Sequence, residues 1–224
     1  MKLKVSILAI AALAVVLAGL GSQTVFAAKG DVAPVYWFED TAPHADPVVP
    51  GAWSSLNRNS SGVSALFHTS GLAPGHVYTM WWVVFNHPEE CTGGCDGADV
   101  GAALGGNGNP AGIGILYAAG RIAGGTGKLS IGARLNEGSI AGCQTSEPFD
   151  GVCTPLSDPM GAEVHLVLHD HGPPIAGKVQ DQLKYFDGGC ELYIYGPDGT
   201  TFVDYGSENG TYACFSPQAS PHLP

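Results

Sequence analysis

The stretch AEVHLVLHDHGPP at 162–174 places His165, His169 and His171 within seven residues. Imidazole can ligate a metal, carry a proton or sit in water on a sheet face. In an extended strand each residue advances about 3.3 Å and successive side chains alternate in face. His165, Val167, His169 and His171 then share one side, while Val164, Leu166 and Leu168 point to the core. His169 and His171 stand about 6.6 Å apart along the strand, close enough for both rings to reach one ion at about 2 Å. His165 lies about 13 Å from His169 and falls outside that unit.

Three uses stay open for the pair. The default expectation is a solvated strand face at the mouth of the Gly-Pro-Pro turn, because short motifs match by chance. A metal site would take its third ligand from His87, His76 or His68, each at or near the end of another strand, with His87 placed first. Copper and zinc both accept imidazole. Direct acid–base catalysis is the third use. Calcium has separate candidates in the acidic turns CDGADVG and GPDG, neither of which reproduces an EF-hand loop. The chain has no Gly-x-Ser-x-Gly elbow, His-Glu-x-x-His or P-loop. Glu39–Asp40 and Glu89–Glu90 are adjacent carboxylates that would face opposite ways, which suits solvated loop charge better than an acid–base pair.

The elements that must position these residues read as strands. Thirty-three glycines and sixteen prolines punctuate short runs rich in Val, Ile, Tyr, Phe and Trp, the pattern of an all-β domain. PVYWFED at 34–40 is the first run. SGVSALFHTSG at 61–71 alternates, with Val63, Ala65 and Phe67 on one face and Ser64, Leu66 and His68 on the other. VYTMWWVVF at 77–85 is apolar on both faces and predicts a central strand covered twice. Trp81 and Trp82 point to opposite faces and suit core packing better than a carbohydrate platform. Hairpins are expected at 112–135 around GGTG and at 190–206 around GPDG. Tyr193, Tyr195 and Tyr205 in the second are the candidates for stacking on a sugar. Segments 92–111 and 136–160 read as long loops, and 216–224 as a flexible tail.

The first 27 residues combine Lys2 and Lys4, an apolar run and small residues at Val25 and Ala27, the anatomy of a secretory signal peptide. An uncleaved anchor is the alternative. Cleavage near Ala27 leaves one domain over 28–215, extracellular or periplasmic. Nine basic residues face twenty acidic ones, a net charge of −11, which becomes −13 without Lys2 and Lys4. Such a body repels phosphate backbones and anionic lipid, so nucleic acid and membrane surfaces are unsuited partners and cations suit it better. An unidentified protein, glycan or metal ion remains as partner. Six cysteines in an exported chain point to disulfides; local pairing gives Cys91–Cys95, Cys143–Cys153 and Cys190–Cys214 among fifteen combinations. The rival is a zinc site at His87, Cys91 and Cys95, which Pro88 and the glycine pair disfavour.

SGLAPGHVYT at 70–79 resembles the turn of fibronectin type III modules in which a tyrosine forms the corner entering a strand. The resemblance implies that Leu72 plugs the core and Tyr78 bonds back to the upstream turn. His169, His171 and Gly172 are similar to the copper-ligand strand of copper/zinc superoxide dismutases and of the related chordin-type domains. The dismutase's histidine-rich zinc loop has no counterpart here, which argues against dismutase activity. Together these readings predict an antiparallel β-sandwich, immunoglobulin-like or dismutase-like, with long disulfide-pinned loops. The expected role is a secreted, non-catalytic binding or surface protein, with a metal ion at His169 and His171 as a secondary reading. A copper- or zinc-dependent enzyme and a carbohydrate-binding module are the alternatives.

Overall fold

The computed structural model describes residues 29–38, 47–144, 149–190 and 214–224. The leader, Glu39–Asp40, and the 190–206 hairpin beyond Cys190, with its three tyrosines and its GPDG turn, lie outside the described residues.

The architecture is all-β and antiparallel. Eight strands, β1 (Lys29–Trp37), β2 (Val48–Asn59), β3 (Gly62–Thr69), β4 (Val77–Phe85), β5 (Ile113–Ile122), β6 (Leu129–Asn136), β7 (Glu163–Asp170) and β8 (Phe215–His222), form one sheet. Their order is β5-β4-β7-β8-β1-β2-β3-β6. β5 and β6 are its two ends, and they approach each other to leave a nearly closed barrel. β4 lies between β5 and β7, so the long connection from β6 brings β7 back beside β4.

β4 is buried along its whole length. Tyr78, Met80, Trp82 and Val84 enter the main core with Leu56, Val63, Phe67, Leu116, Ile131, Val164, Leu166 and Leu168. Trp81, Val83 and Phe85 enter a second core with Ile113, Ile115, Phe149, Val152 and Phe186. The second core lies outside the barrel wall, under the segments that link the strands. Trp81 and Trp82 are each about 1 % exposed and offer no platform to a sugar.

Four expectations change. The strands around GGTG do not pair as a hairpin: β6 pairs with β3 and β5 with β4. The free edge of β5 is taken instead by the 143–153 loop, through bridges Gly114–Cys153 and Leu116–Cys143 and Tyr117 N–H donating to Gly142 O. An edge covered by a disulfide-bonded loop cannot template pairing with another chain. Segment 92–111 holds a helix, α1 (Gly97–Leu104), whose N-terminus is set by Asp96 and Asp99 in a reciprocal capping box. The Asp99 carboxylate accepts from Thr92 N and Oγ1, so these acids serve as caps within CDGADVG. β2 is an additional strand in the polar run VVPGAWSSLNRN. Finally, residues 216–222 are no tail. They belong to β8, which lies between β7 and β1 and is buried from Pro217 to His222.

Arg58 and a chain of side chains fasten β8. The buried guanidinium donates to the carbonyls of Pro159, Ala162, His222 and Leu223. His222 Nδ1 lies 2.8 Å from Asp31 Oδ1, its Nε2 2.7 Å from Ser54 Oγ, and Ser54 Oγ 2.6 Å from Ser220 Oγ. Burial, more than any neighbouring charge, lowers the His222 pKa.

At the SGLAPGHVYT corner, Leu72 is buried in the main core. The Tyr78 hydroxyl accepts from Ala73 N at 3.1 Å and donates to Asp170 Oδ2 at 2.7 Å. Tyr78→Phe removes both bonds and leaves a buried carboxylate short of a donor. The variant should lose about 2 kcal/mol of stability, read as a lower urea midpoint at unchanged slope. An unchanged midpoint would show that the corner bonds carry no weight.

Candidate metal centre

The β4–β7 ladder places Thr79 opposite His169 and Tyr78 opposite Asp170. It continues past the strand end, since His171 N donates to Val77 O and Val77 N to Gly172 O, each at 2.9 Å. The His-Asp-His run is therefore extended, and its side chains alternate. Asp170 turns to the corner, where its carboxylate accepts from Tyr78 and Gly172 N and lies 3.0 Å from His76 Nδ1. His169 and His171 turn to the other side, their ring centroids 4.7 Å apart.

That side is not wet. His169 and His171 are each fully buried, and His165 is 5 % exposed. The expected solvated face is thus overturned: the segment around α2 (Val179–Gln182) folds over it. Phe186 stacks on His169 at 4.1 Å and packs against Trp81 and Phe149. Gln182 donates to the carbonyls of His171 and Pro173 and accepts from Ile175 N. Tyr117 donates to Leu183 O.

His171 Nδ1 donates to Gly188 O at 2.9 Å, because a carbonyl only accepts. Its Nε2 then accepts from the Thr79 hydroxyl at 2.8 Å, and Thr79 Oγ1 in turn accepts from Trp81 Nε1 at 2.7 Å. Burial lowers the His171 pKa to about 4. Burial, then the neighbouring His171, pushes His169 well below its ordinary value. Both rings are neutral at pH 7, the form that binds metal.

The other donors at this spot are Cys190 and Cys214. One ligand atom from each of His169, His171, Cys190 and Cys214 falls in a cluster whose members all lie within 4.8 Å of one another. Cys190 Sγ is 3.5 Å from His171 Nδ1. Cys214 is brought in by the β7–β8 register, which pairs Asp170 with Phe215. The two sulfurs are joined here as a disulfide, as are Cys91–Cys95 and Cys143–Cys153. The bond between Cys91 and Cys95 leaves neither thiol for zinc at His87.

The expected third histidines are elsewhere. His87 lies past the far end of β4, about 26 Å along the strand from the level of His169; its exposed ring is 3.8 Å from Glu89 Oε1. His68 bonds Ser130 Oγ and stacks on Trp53. His76 belongs to the Asp170 corner. His165 stands apart from the pair, its Nε2 2.6 Å from Glu163 Oε1. Cys190 and Cys214 carried no metal signal in sequence, because they reach the histidines only through strand register and the fold of the 178–190 segment.

A second arrangement escaped sequence reading: Asp31, His222 and Ser54 follow one another at nucleophile–base–acid distances. Ser54 and Ser220 are fully buried, however, and no substrate reaches them. Ser220 donates to Pro34 O, so the chain acts as a strut between β1, β2 and β8.

No protein-family model matches the chain, and no curated protein sequence matches it.

The buried neutral imidazoles fix a pH dependence. In the unfolded chain they titrate near 6.5, in the folded one much lower, so the unfolded state binds more protons between those values. Stability of the metal-free protein should be complete above about pH 6.5 and fall as pH drops toward 4, by about 3 kcal/mol from His171 alone. Denaturant titrations from pH 7 to pH 4 measure it. A flat profile would mean that the rings are hydrated.

Proposed function

We propose that this is an extracytoplasmic, non-catalytic binding protein whose ligand is a copper or zinc ion, held at the end of β7 by His169 and His171. The observation that carries the reading is the pair itself: two fully buried, neutral imidazoles, 4.7 Å between ring centroids, in a cluster of donors within 4.8 Å. A core has no need of two adjacent imidazoles there, since each costs desolvation that an apolar side chain would not. Three disulfides suit an oxidising compartment, and no helix among the described residues is long and apolar enough to cross a membrane.

The enzyme alternative meets a geometric objection. Catalytic metal sites keep a coordination position open to substrate. Here Phe186 stacks on His169, Gly188 bonds His171, and both rings are sealed from solvent. The closed surroundings favour holding an ion over processing a substrate.

Calorimetric titration of the folded chain with Zn²⁺ in both oxidised and reduced form, and with Cu²⁺ in the oxidised form, tests the reading. One ion should bind per chain, and His169→Ala and His171→Ala should each weaken binding by about 100-fold. His87→Ala and His165→Ala should leave it unchanged. Absence of binding at micromolar metal in both forms would refute it.

A further inference from the structure

We propose that Cys190 and Cys214 are the remaining two ligands, and that their disulfide is the closed state of a thiol-gated N2S2 site for a d10 ion, Zn(II) or Cu(I). This rests on the metal-binding reading above and adds to it the ligand set and its control.

The argument is one of distances. A tetrahedral ion with metal–nitrogen bonds of about 2.05 Å and metal–sulfur bonds of about 2.3 Å sets nitrogen and sulfur donors about 3.5 Å apart and two sulfurs about 3.8 Å apart. Cys190 Sγ and His171 Nδ1 are already at 3.5 Å, and all four donors lie within 4.8 Å. The sulfur pair as it stands is incompatible with an ion, since a disulfide holds its atoms about 2.05 Å apart. The bond and a four-coordinate ion therefore exclude one another, and the oxidised chain has only the two imidazoles left to offer a metal. Soft thiolates with imidazoles select zinc or Cu(I) over hard cations.

His171 is prepared for the change. In the disulfide form Nδ1 holds the proton and gives it to Gly188 O. To ligate through Nδ1 the ring shifts that proton to Nε2, where Thr79 Oγ1 lies 2.8 Å away and can accept it. A histidine ligand whose other nitrogen donates to a fixed oxygen is the usual second-layer support of a metal site.

The gate opens by balanced chemistry. A dithiol reductant attacks one sulfur of Cys190–Cys214, and the two electrons that break the S–S bond leave the reductant as its own disulfide. Two protons pass to the protein thiols, and the incoming ion displaces them. Access exists on one side: Cys190, Gly188 and Gly189 line a cavity of about 540 Å³, together with Lys178, Asp181 and Asp187.

The test compares thiol states of the full chain, with zinc and, as an optical probe of thiolate coordination, cobalt(II). Reduction under anaerobic conditions should raise zinc affinity about 100-fold or more over the oxidised chain, with thiolate-to-cobalt charge-transfer bands. Cys190→Ser/Cys214→Ser should abolish that gain, whereas Cys91→Ser/Cys95→Ser should retain it. Single variants Cys190→Ser and Cys214→Ser need no reductant and keep the other two bridges. Each should bind zinc more tightly than the double variant and show the cobalt–thiolate band, so the test survives if full reduction unfolds the chain. Equal affinity in both thiol states, or single variants no better than the double, would overturn the gate while leaving the histidine reading intact. Failure of every form to bind would sink both.

Discussion

Water has to be kept from both faces of β4, and most of the molecule follows from that requirement. A strand reading VYTMWWVVF cannot sit on the surface of a one-layer sheet. Its inner face is satisfied by curling the sheet around Met80, Trp82 and Val84. Its outer face needs a second cover, which 86–112, 149–162 and 171–190 supply by packing Ala103, Ala111, Phe149, Val152 and Phe186 against Trp81 and Phe85. β7 lies beside β4 in the ladder, so the same cover that dries Trp81 also dries His169 and His171. The burial of the imidazoles is thus a by-product of hiding tryptophan, and it is what makes them neutral.

The disulfides take part in that cover. Cys143–Cys153 holds the loop that occupies the outer edge of β5, and Cys91–Cys95 closes the turn before α1. Cys190–Cys214 differs from the other two in having imidazoles for neighbours. Strand register brings Cys214 to the histidines and the fold of the 178–190 segment brings Cys190, and this is the physical ground for treating the pair separately.

Sequence made the interior of the fold legible where periodicity was strong. β3 alternates and β4 is doubly apolar, and both stand where pattern put them. β2 and β8 were hidden because polar residues take part of their buried positions: Ser54 and Arg58 in one, Gln218, Ser220 and His222 in the other. Two prolines further disguised β8. Pro217 is tolerated beside the irregularity between Leu168 and Asp170, and Pro221 lies beyond the short β1 ladder at Tyr36 and Trp37. For the site, spacing separated His169 and His171 from His165, since alternation is local. Burial of the pair, and the identity of its neighbours, depend on contacts between residues 169, 186, 190 and 214, which no local pattern encodes.

The fastening of β8 has a kinetic meaning. Tyr36 pairs with Ala219, and Arg58 binds the carbonyls of His222 and Leu223, contacts that span nearly the whole described chain. Loop closure over such separations has to precede any reward from the contact, so barrels of this topology fold slowly. The same contacts must all break together for the barrel to open. A chain built this way persists by the height of its unfolding barrier as much as by the depth of its native well.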